Sequence, residues 1–140
     1  MRLIDFFDRS AALTPNAVFI KQGDVSRSYA QSQAATHCIA AALIRDGFGP
    51  GTRVGVYMPN DWRGLEVMFG FWRAGCVMVP VNARNAVTQN AQILADVGAE
   101  VVFFHSSFAR ELDQVRAVCP KVTLAICIDD GMEGWMAPEG

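Results

Sequence analysis

Residues Arg53 to Pro80 read RVGVYMPNDWRGLEVMFGFWRAGCVMVP, and their order of strand, helix and strand decides the fold. Arg53 to Met58 is a short β-prone run ended by Pro59, which cannot donate to a ladder. Asn60 or Asp61 is placed to cap a helix that runs to about Ala74, with Gly75 as its stop. Leu65, Met68, Phe69 and Trp72 make one apolar face of that helix, and Val67, Phe71 and Ala74 make another. The charges Arg63, Glu66 and Arg73 fill a narrow strip. A helix apolar nearly all round is buried on more than one side, so this one is expected to cover a sheet and meet a further layer. Cys76 to Val81 returns as a short apolar strand, with Pro80 suited to its end.

Downstream the alternation continues. Thr88 starts a helix through Asp96 that Gly98 ends, and Val101 to Phe104 is a fully apolar strand. Ser106 or Ser107 caps a helix to about Val118, and Val122 to Ile128 is a β-branched strand. Four short apolar strands joined by helices imply a parallel sheet covered on both faces, with right-handed crossovers. Upstream, Leu3 to Leu13 has roughly helical apolar spacing and stops at Thr14-Pro15, and Ala17 to Ile20 and Val25 to Tyr29 flank a turn at Gln22-Gly23-Asp24. A long helix from about Tyr29 to Arg45 puts Ala35, Cys38, Ile39, Ala42 and Leu43 on one face and ends at Gly47. The expected fold class is α/β: a doubly wound, mainly parallel sheet with helices on both faces, preceded by a helix and a β-hairpin. Residues 1–128 are expected to form this unit, and Asp129 to Gly140, rich in Gly, Pro and acid, reads as a linker or a truncated end.

Composition narrows the function classes. With 51% hydrophobic and 19% charged residues among 140, a disordered chain is excluded. Twelve basic against fourteen acidic residues give a net charge of −2 with no basic stripe, so no nucleic-acid partner is expected. The most apolar stretch, Leu65 to Val81, is broken by Glu66, Arg73, two glycines and Pro80, which argues against a transmembrane segment. Asp5 interrupts the N-terminus before any apolar export region forms, so a cytoplasmic location is expected. Cys38, Cys76, Cys119 and Cys127 have neither zinc nor redox spacing and are expected to be reduced thiols.

Candidate chemistry lies where the strands end, because open α/β sheets bind ligands outside the carboxyl ends of their strands. These positions are Pro59-Asn60-Asp61, Val81-Asn82-Ala83-Arg84, His105-Ser106-Ser107 and Asp129-Asp130. Arg84 either takes a phosphate or pairs with a surface carboxylate. Asp129-Asp130 either holds Mg²⁺ or is a solvated loop. Ser106 and Ser107 read as helix caps, without a G-x-S-x-G context, and His37 and His105 as surface or helix-flank residues. Gly47-Phe48-Gly49-Pro50-Gly51 follows a helix and precedes a strand, the reverse of the order a phosphate loop needs. The residues alone therefore yield an α/β piece without a complete active site.

Four segments in order resemble the AMP-forming adenylating superfamily of acyl-CoA synthetases, luciferases and peptide-synthetase adenylation domains. Ser28-Tyr29-Ala30 opening a long helix is similar to the family's (T/S)-Y-x-E-L start. Gly47 to Asn60 resembles G-V-x-x-G-D-R-V-A-x-x-x-P-N, and Phe71 to Arg84 resembles L-K-A-G-A-x-x-V-P-L-N-P-R. Ile93 to Val102 is similar to I-L-x-D-S-G-A-x-x-L/V. Ala30-Gln31-Ser32 departs from E-L, Thr52 from Asp and Ala83 from the proline of N-P-R.

The resemblance implies the N-terminal portion of a larger adenylating domain. The parent enzyme would use ATP, Mg²⁺ and coenzyme A to convert a carboxylic acid to an acyl-adenylate and then to acyl-CoA. It further implies Arg84 as a contact to a CoA phosphate, since the arginine of N-P-R has that role in some members. The family's T-S-G-T-T-G nucleotide loop is not in the sequence, nor are its later ribose carboxylate and catalytic lysine. No catalytic residue and no metal ligand is therefore expected in this chain, which alone should be inactive and hold none of these cofactors tightly. Its low charge fits a surface covered by the remainder of the enzyme, and such a patch exposed should promote self-association. The competing expectation is a stand-alone, non-catalytic α/β binding module. A dinucleotide-binding protein is disfavoured because no G-x-G-x-x-G follows a strand.

Overall fold

The computed structural model describes residues 2–137. Helix α1 (Leu3–Leu13) leads into a hairpin of β1 (Val18–Gln22) and β2 (Val25–Ser28), followed by α2 (Tyr29–Arg45). Then β3 (Arg53–Tyr57), α3 (Arg63–Arg73), β4 (Val77–Pro80), α4 (Val87–Val97) and β5 (Val101–Phe104) alternate. A 3₁₀ turn at Ser106–Phe108, α5 (Ala109–Val118), β6 (Leu124–Cys127) and α6 (Met132–Met136) complete the described chain. Ser28 and Gln31 start α2 by reciprocal capping: the Gln31 amide donates to Ser28 Oγ at 3.1 Å, and the Ser28 amide donates to Gln31 Oε1 at 2.9 Å.

The second sheet runs β4-β3-β5-β6, and all its pairings are parallel. Side chains alternate across it. Val54 and Phe103 face a core shared with α2 and α3, while Tyr57, Val79 and Val102 face a core shared with α4 and α5. The helix after β3 thus covers one face and the helix after β5 the other. Because β3 and β5 are neighbours, the sheet has its topological switch between them.

Two glycines allow close approach. A Cβ on Gly55 would stand 2.6 Å from Leu94 Cδ2, so the Leu94 side chain occupies the space that a side chain on β3 would take. A Cβ on Gly70 would stand 2.5 Å from Ile39 Cγ2 and 2.6 Å from Ile39 Cβ, where α2 and α3 touch.

Helix α3 meets its further layer in an unexpected way. Leu65 remains exposed, whereas Glu66, from the charged strip, is buried. Its carboxylate accepts from Arg27 Nε at 2.8 Å and from Ser32 Oγ at 2.8 Å. Arg73 donates to both oxygens of Asp8 on α1, at 2.6 and 3.0 Å, holding the Asp8 carboxyl below its usual range. The strip is therefore a seam of ion pairs tying α3 to α1, the hairpin and α2. Phe7, Phe19, Tyr29 and Phe69 fill the space between, with Phe7 stacked on Phe69 at 4.9 Å.

The acidic tail also departs from expectation, since Met132–Met136 is helical. Trp135 packs edge-on to Phe103 at 5.8 Å, and its Nε1 donates to Asp46 at 2.8 Å. Arg45 donates to the carbonyls of Trp135 and Ala137 at 2.8 and 3.1 Å. The last three residues of the expected linker, 138–140, lie outside the described residues. All four cysteines are free, and burial pushes the Cys76 thiol up to about 11, with the Glu100 charge adding to the effect.

Candidate functional site

The carboxyl ends of β3, β5 and β6 bring three of the four expected segments together. Asp61 follows β3, His105 follows β5 and Asp129 follows β6. His105 Nε2 stands 3.4 Å from Asp129 Oδ2 and 3.8 Å from Asp61 Oδ2. His105 Nδ1 accepts the Ser107 amide at 3.1 Å and lies 2.8 Å from Ser107 Oγ. Nε2, on the other side of the ring, faces the two carboxylates.

The expected helix caps are thereby corrected: His105, not Ser106 or Ser107, caps the turn that opens this segment. Ser106 instead gives both its hydroxyl and its amide to Asp129. Its hydroxyl is held by the Asp129 carboxylate, so this pair ties the loop after β5 to the end of β6. Asp61 accepts the Arg63 amide at 2.9 Å and pairs with the Arg63 guanidinium at 3.1 Å, which supplies the start of α3. Arg63 and Arg27 flank the Trp62 ring at 4.7 and 5.5 Å.

Burial pushes the Asp129 carboxyl up, but hydrogen bonds from the Ser106 hydroxyl and amide and from the Cys127 thiol outweigh it. The net result is well below the usual range. A carboxylate depressed in the folded state adds stability above its unfolded value of 3.8, and that stability is lost as pH falls through the folded value. Asp129→Asn is expected to lower the melting temperature at pH 7 and to flatten its fall below about pH 4. Melting curves of the two proteins that fall in parallel would disprove this role. Among the described residues no three His, Cys, Asp or Glu side chains are arranged to hold a metal ion.

Arg84 stands apart from the cluster. It lies in the turn after edge strand β4, with its side chain exposed. Its amide donates to Asn82 Oδ1 at 2.9 Å. Among the described residues no carboxylate pairs with its guanidinium, so the surface-pair alternative is not what is seen. A cation held on a short turn with its donors free suits a phosphate group. Elsewhere, a groove of about 570 Å³ opens between β1 and the start of α3, floored by Ile20, Met58, Leu65 and Met68 with Lys21 and Asp61 at its rim.

A doubly wound parallel sheet with polar loops from β3, β5 and β6 gathered at the switch between β3 and β5 places the chain among the open α/β folds. A family model described as AMP-binding enzyme matches residues 7–139, and the chain belongs to that family. It is 30% identical over 139 residues to the indoleacetate–CoA ligase of Aromatoleum aromaticum, covering 99% of this chain and 27% of that protein. It is 35% identical over 109 residues to a feruloyl-CoA synthase of an Amycolatopsis species, covering 78% of this chain and 22% of that protein. Among solved structures, the N-terminal domain of FACL13 from Mycobacterium tuberculosis superposes with a TM-score of 0.88 at 29% identity. That match covers 99% of this chain and 37% of the other. The chain thus spans about a quarter of the length of these two relatives.

Proposed function

We propose that this chain is the N-terminal α/β portion of an ATP-dependent acid–CoA ligase. In that reaction a carboxylate oxygen attacks the α-phosphorus of ATP, expelling pyrophosphate and leaving an acyl-adenylate. The CoA thiol then attacks the acyl carbon and AMP leaves. The observation that carries the reading is the family match along residues 7–139 to a fold whose loops open at the β3/β5 switch, together with relatives that are CoA ligases.

Within this chain Arg84 is assigned to a phosphate of CoA, a role its exposed and unpaired guanidinium fits. Among the described residues no group of His, Cys, Asp or Glu is arranged to hold a metal ion, and no step on Mg²⁺ is assigned to this chain. The nucleotide loop and the acid pocket are likewise assigned to other parts of the enzyme, so the 140 residues alone are catalytically incomplete. The division into residues 1–128 and a short trailing segment, and a cytoplasmic location, belong to the same reading. No described helix is long and apolar enough to cross a membrane.

Acid-dependent ATP–pyrophosphate exchange tests the reading. The chain alone is expected to show none, and an open reading frame continuing past Gly140 into a T-S-G-rich loop is expected in the coding DNA. A stop codon there would favour the stand-alone module. In the whole ligase, Arg84→Ala is expected to raise KM for CoA about tenfold with exchange little changed. Self-association of the isolated chain through Leu3, Phe6 and Leu13, exposed along α1, completes the proposal, and sedimentation that finds only monomer would remove it.

A further inference from the structure

The turn that carries Arg84 is held from below by a buried polar side chain. Asn90, in the first turns of α4, has no exposed surface. Its Nδ2 donates to the Tyr57 hydroxyl at 3.1 Å and to the Asn82 carbonyl at 2.9 Å. That carbonyl also accepts the Asn85 amide at 2.9 Å, so the Asn82–Asn85 turn is closed and anchored at one oxygen. Asn82 Oδ1 in turn accepts the Arg84 amide. Tyr57 ends β3 and is itself fully buried, with its ring 5.0 Å from Phe108 after β5. A hydrogen-bonded line therefore runs from the centre of the sheet, through Asn90, to the backbone of Arg84.

Packing alone does not call for an amide here. Among the described residues Asn90 Oδ1 has no hydrogen-bond partner, and a buried acceptor left unpaired is destabilising. An apolar side chain at this position would carry no unpaired acceptor, but it would leave the Tyr57 hydroxyl and the Asn82 carbonyl without this donor. What the amide uniquely supplies is its pair of N–H donors, one for the strand end and one for the turn.

We propose that Asn90 is a positioning residue: it locks the β4–α4 turn to β3 and so sets where the Arg84 guanidinium meets a phosphate-bearing ligand. This rests on the assignment of Arg84 to CoA. The polar pair Tyr57–Asn90 fixes the height of the turn above the sheet, and the Asn82 side chain fixes its tilt. Loss of Asn90 releases the turn without altering the surface that Arg84 presents.

The test uses the whole ligase carrying this chain. Asn90→Leu is expected to raise KM for CoA about tenfold while acid-dependent ATP–pyrophosphate exchange stays within about twofold. Adding Asn90→Leu to Arg84→Ala is expected to produce no further loss, since both act on one contact. An unchanged KM in Arg84→Ala would overturn the CoA assignment and this inference with it. A raised KM in Arg84→Ala but not in Asn90→Leu would overturn the inference alone. Equal losses in both half-reactions, or additive losses in the double variant, would reduce Asn90 to a structural role and overturn it too. Should the leucine variant fail to fold, Asn90→Ala is read in the same way. Amide hydrogen exchange at Arg84 is independent of activity. It is expected to accelerate about tenfold or more relative to the amides of β3 in the Asn90 variant, and an unchanged ratio would overturn the proposal.

Discussion

Glu66→Ala is expected to lower the free energy of unfolding by about 3 kcal/mol at neutral pH, with urea denaturation as the measurement. An ion pair on a surface is worth about 0–1 kcal/mol, whereas breaking a buried one costs about 3–5 kcal/mol because the remaining charge is stranded. The Glu66 side chain is only 8% exposed and Arg27 27%, so the pair sits nearer the buried limit, softened by the water that Arg27 can still reach. Ser32, fully buried, loses its acceptor at the same time. A loss below about 1 kcal/mol would show that Arg27 and Ser32 find other partners and that the seam on α3 is not structural.

Gly70→Ala is the second large effect. Alanine normally favours a helix interior over glycine by about 1 kcal/mol, so an exposed site would gain stability. Here the new methyl would meet Ile39 Cγ2 and Cβ at 2.5 and 2.6 Å, inside a core where Ile39 is 1% exposed. The Cβ atom is not the free end of a flexible chain, so α2 and α3 must separate. Overpacking of this kind costs about 1–3 kcal/mol, and the clash should outweigh the gain in helix propensity. Ile39→Ala is expected to be less harmful in the Gly70→Ala background than alone, a coupling that a double-mutant cycle reads directly. A stabilised Gly70→Ala protein would mean that the two helices do not touch where described.

The element pattern was legible because each strand is a short apolar run and each helix is bounded by a glycine, proline or capping residue. Arg53 to Tyr57, Val77 to Pro80 and Val101 to Phe104 all emerge from that punctuation alone. The cluster at Asp61, His105 and Asp129 was not legible as a unit. It exists because the chain crosses back over β3 after β4, so that β5 pairs on the other side of β3, and no apolar pattern encodes which strand becomes whose neighbour. The charged strip of α3 was read by residue type, but its burial depends on Arg27, Ser32 and Asp8, which arrive from distant elements. Asn90 gave no signal at all, since a buried amide and a surface amide look alike in a helix. The tail did carry one: Met132, Trp135 and Met136 have the spacing of a helix face, hidden among the acids and glycines around them.

Helix α6 has five residues, too few to persist in water by itself, and every bond described for its attachment reaches back 89 to 92 residues to Arg45 and Asp46. Closing so long a loop is entropically unfavourable until α2 is already docked on the sheet. The tail is therefore expected to dock late in folding and to be released early in partial opening, which amide hydrogen exchange of Trp135 against that of β5 measures. When it lifts, Phe103 loses its edge-on partner while the strand beneath stays paired on both sides. The indole of Trp135 thus reports the final stage of assembly separately from the sheet that it covers.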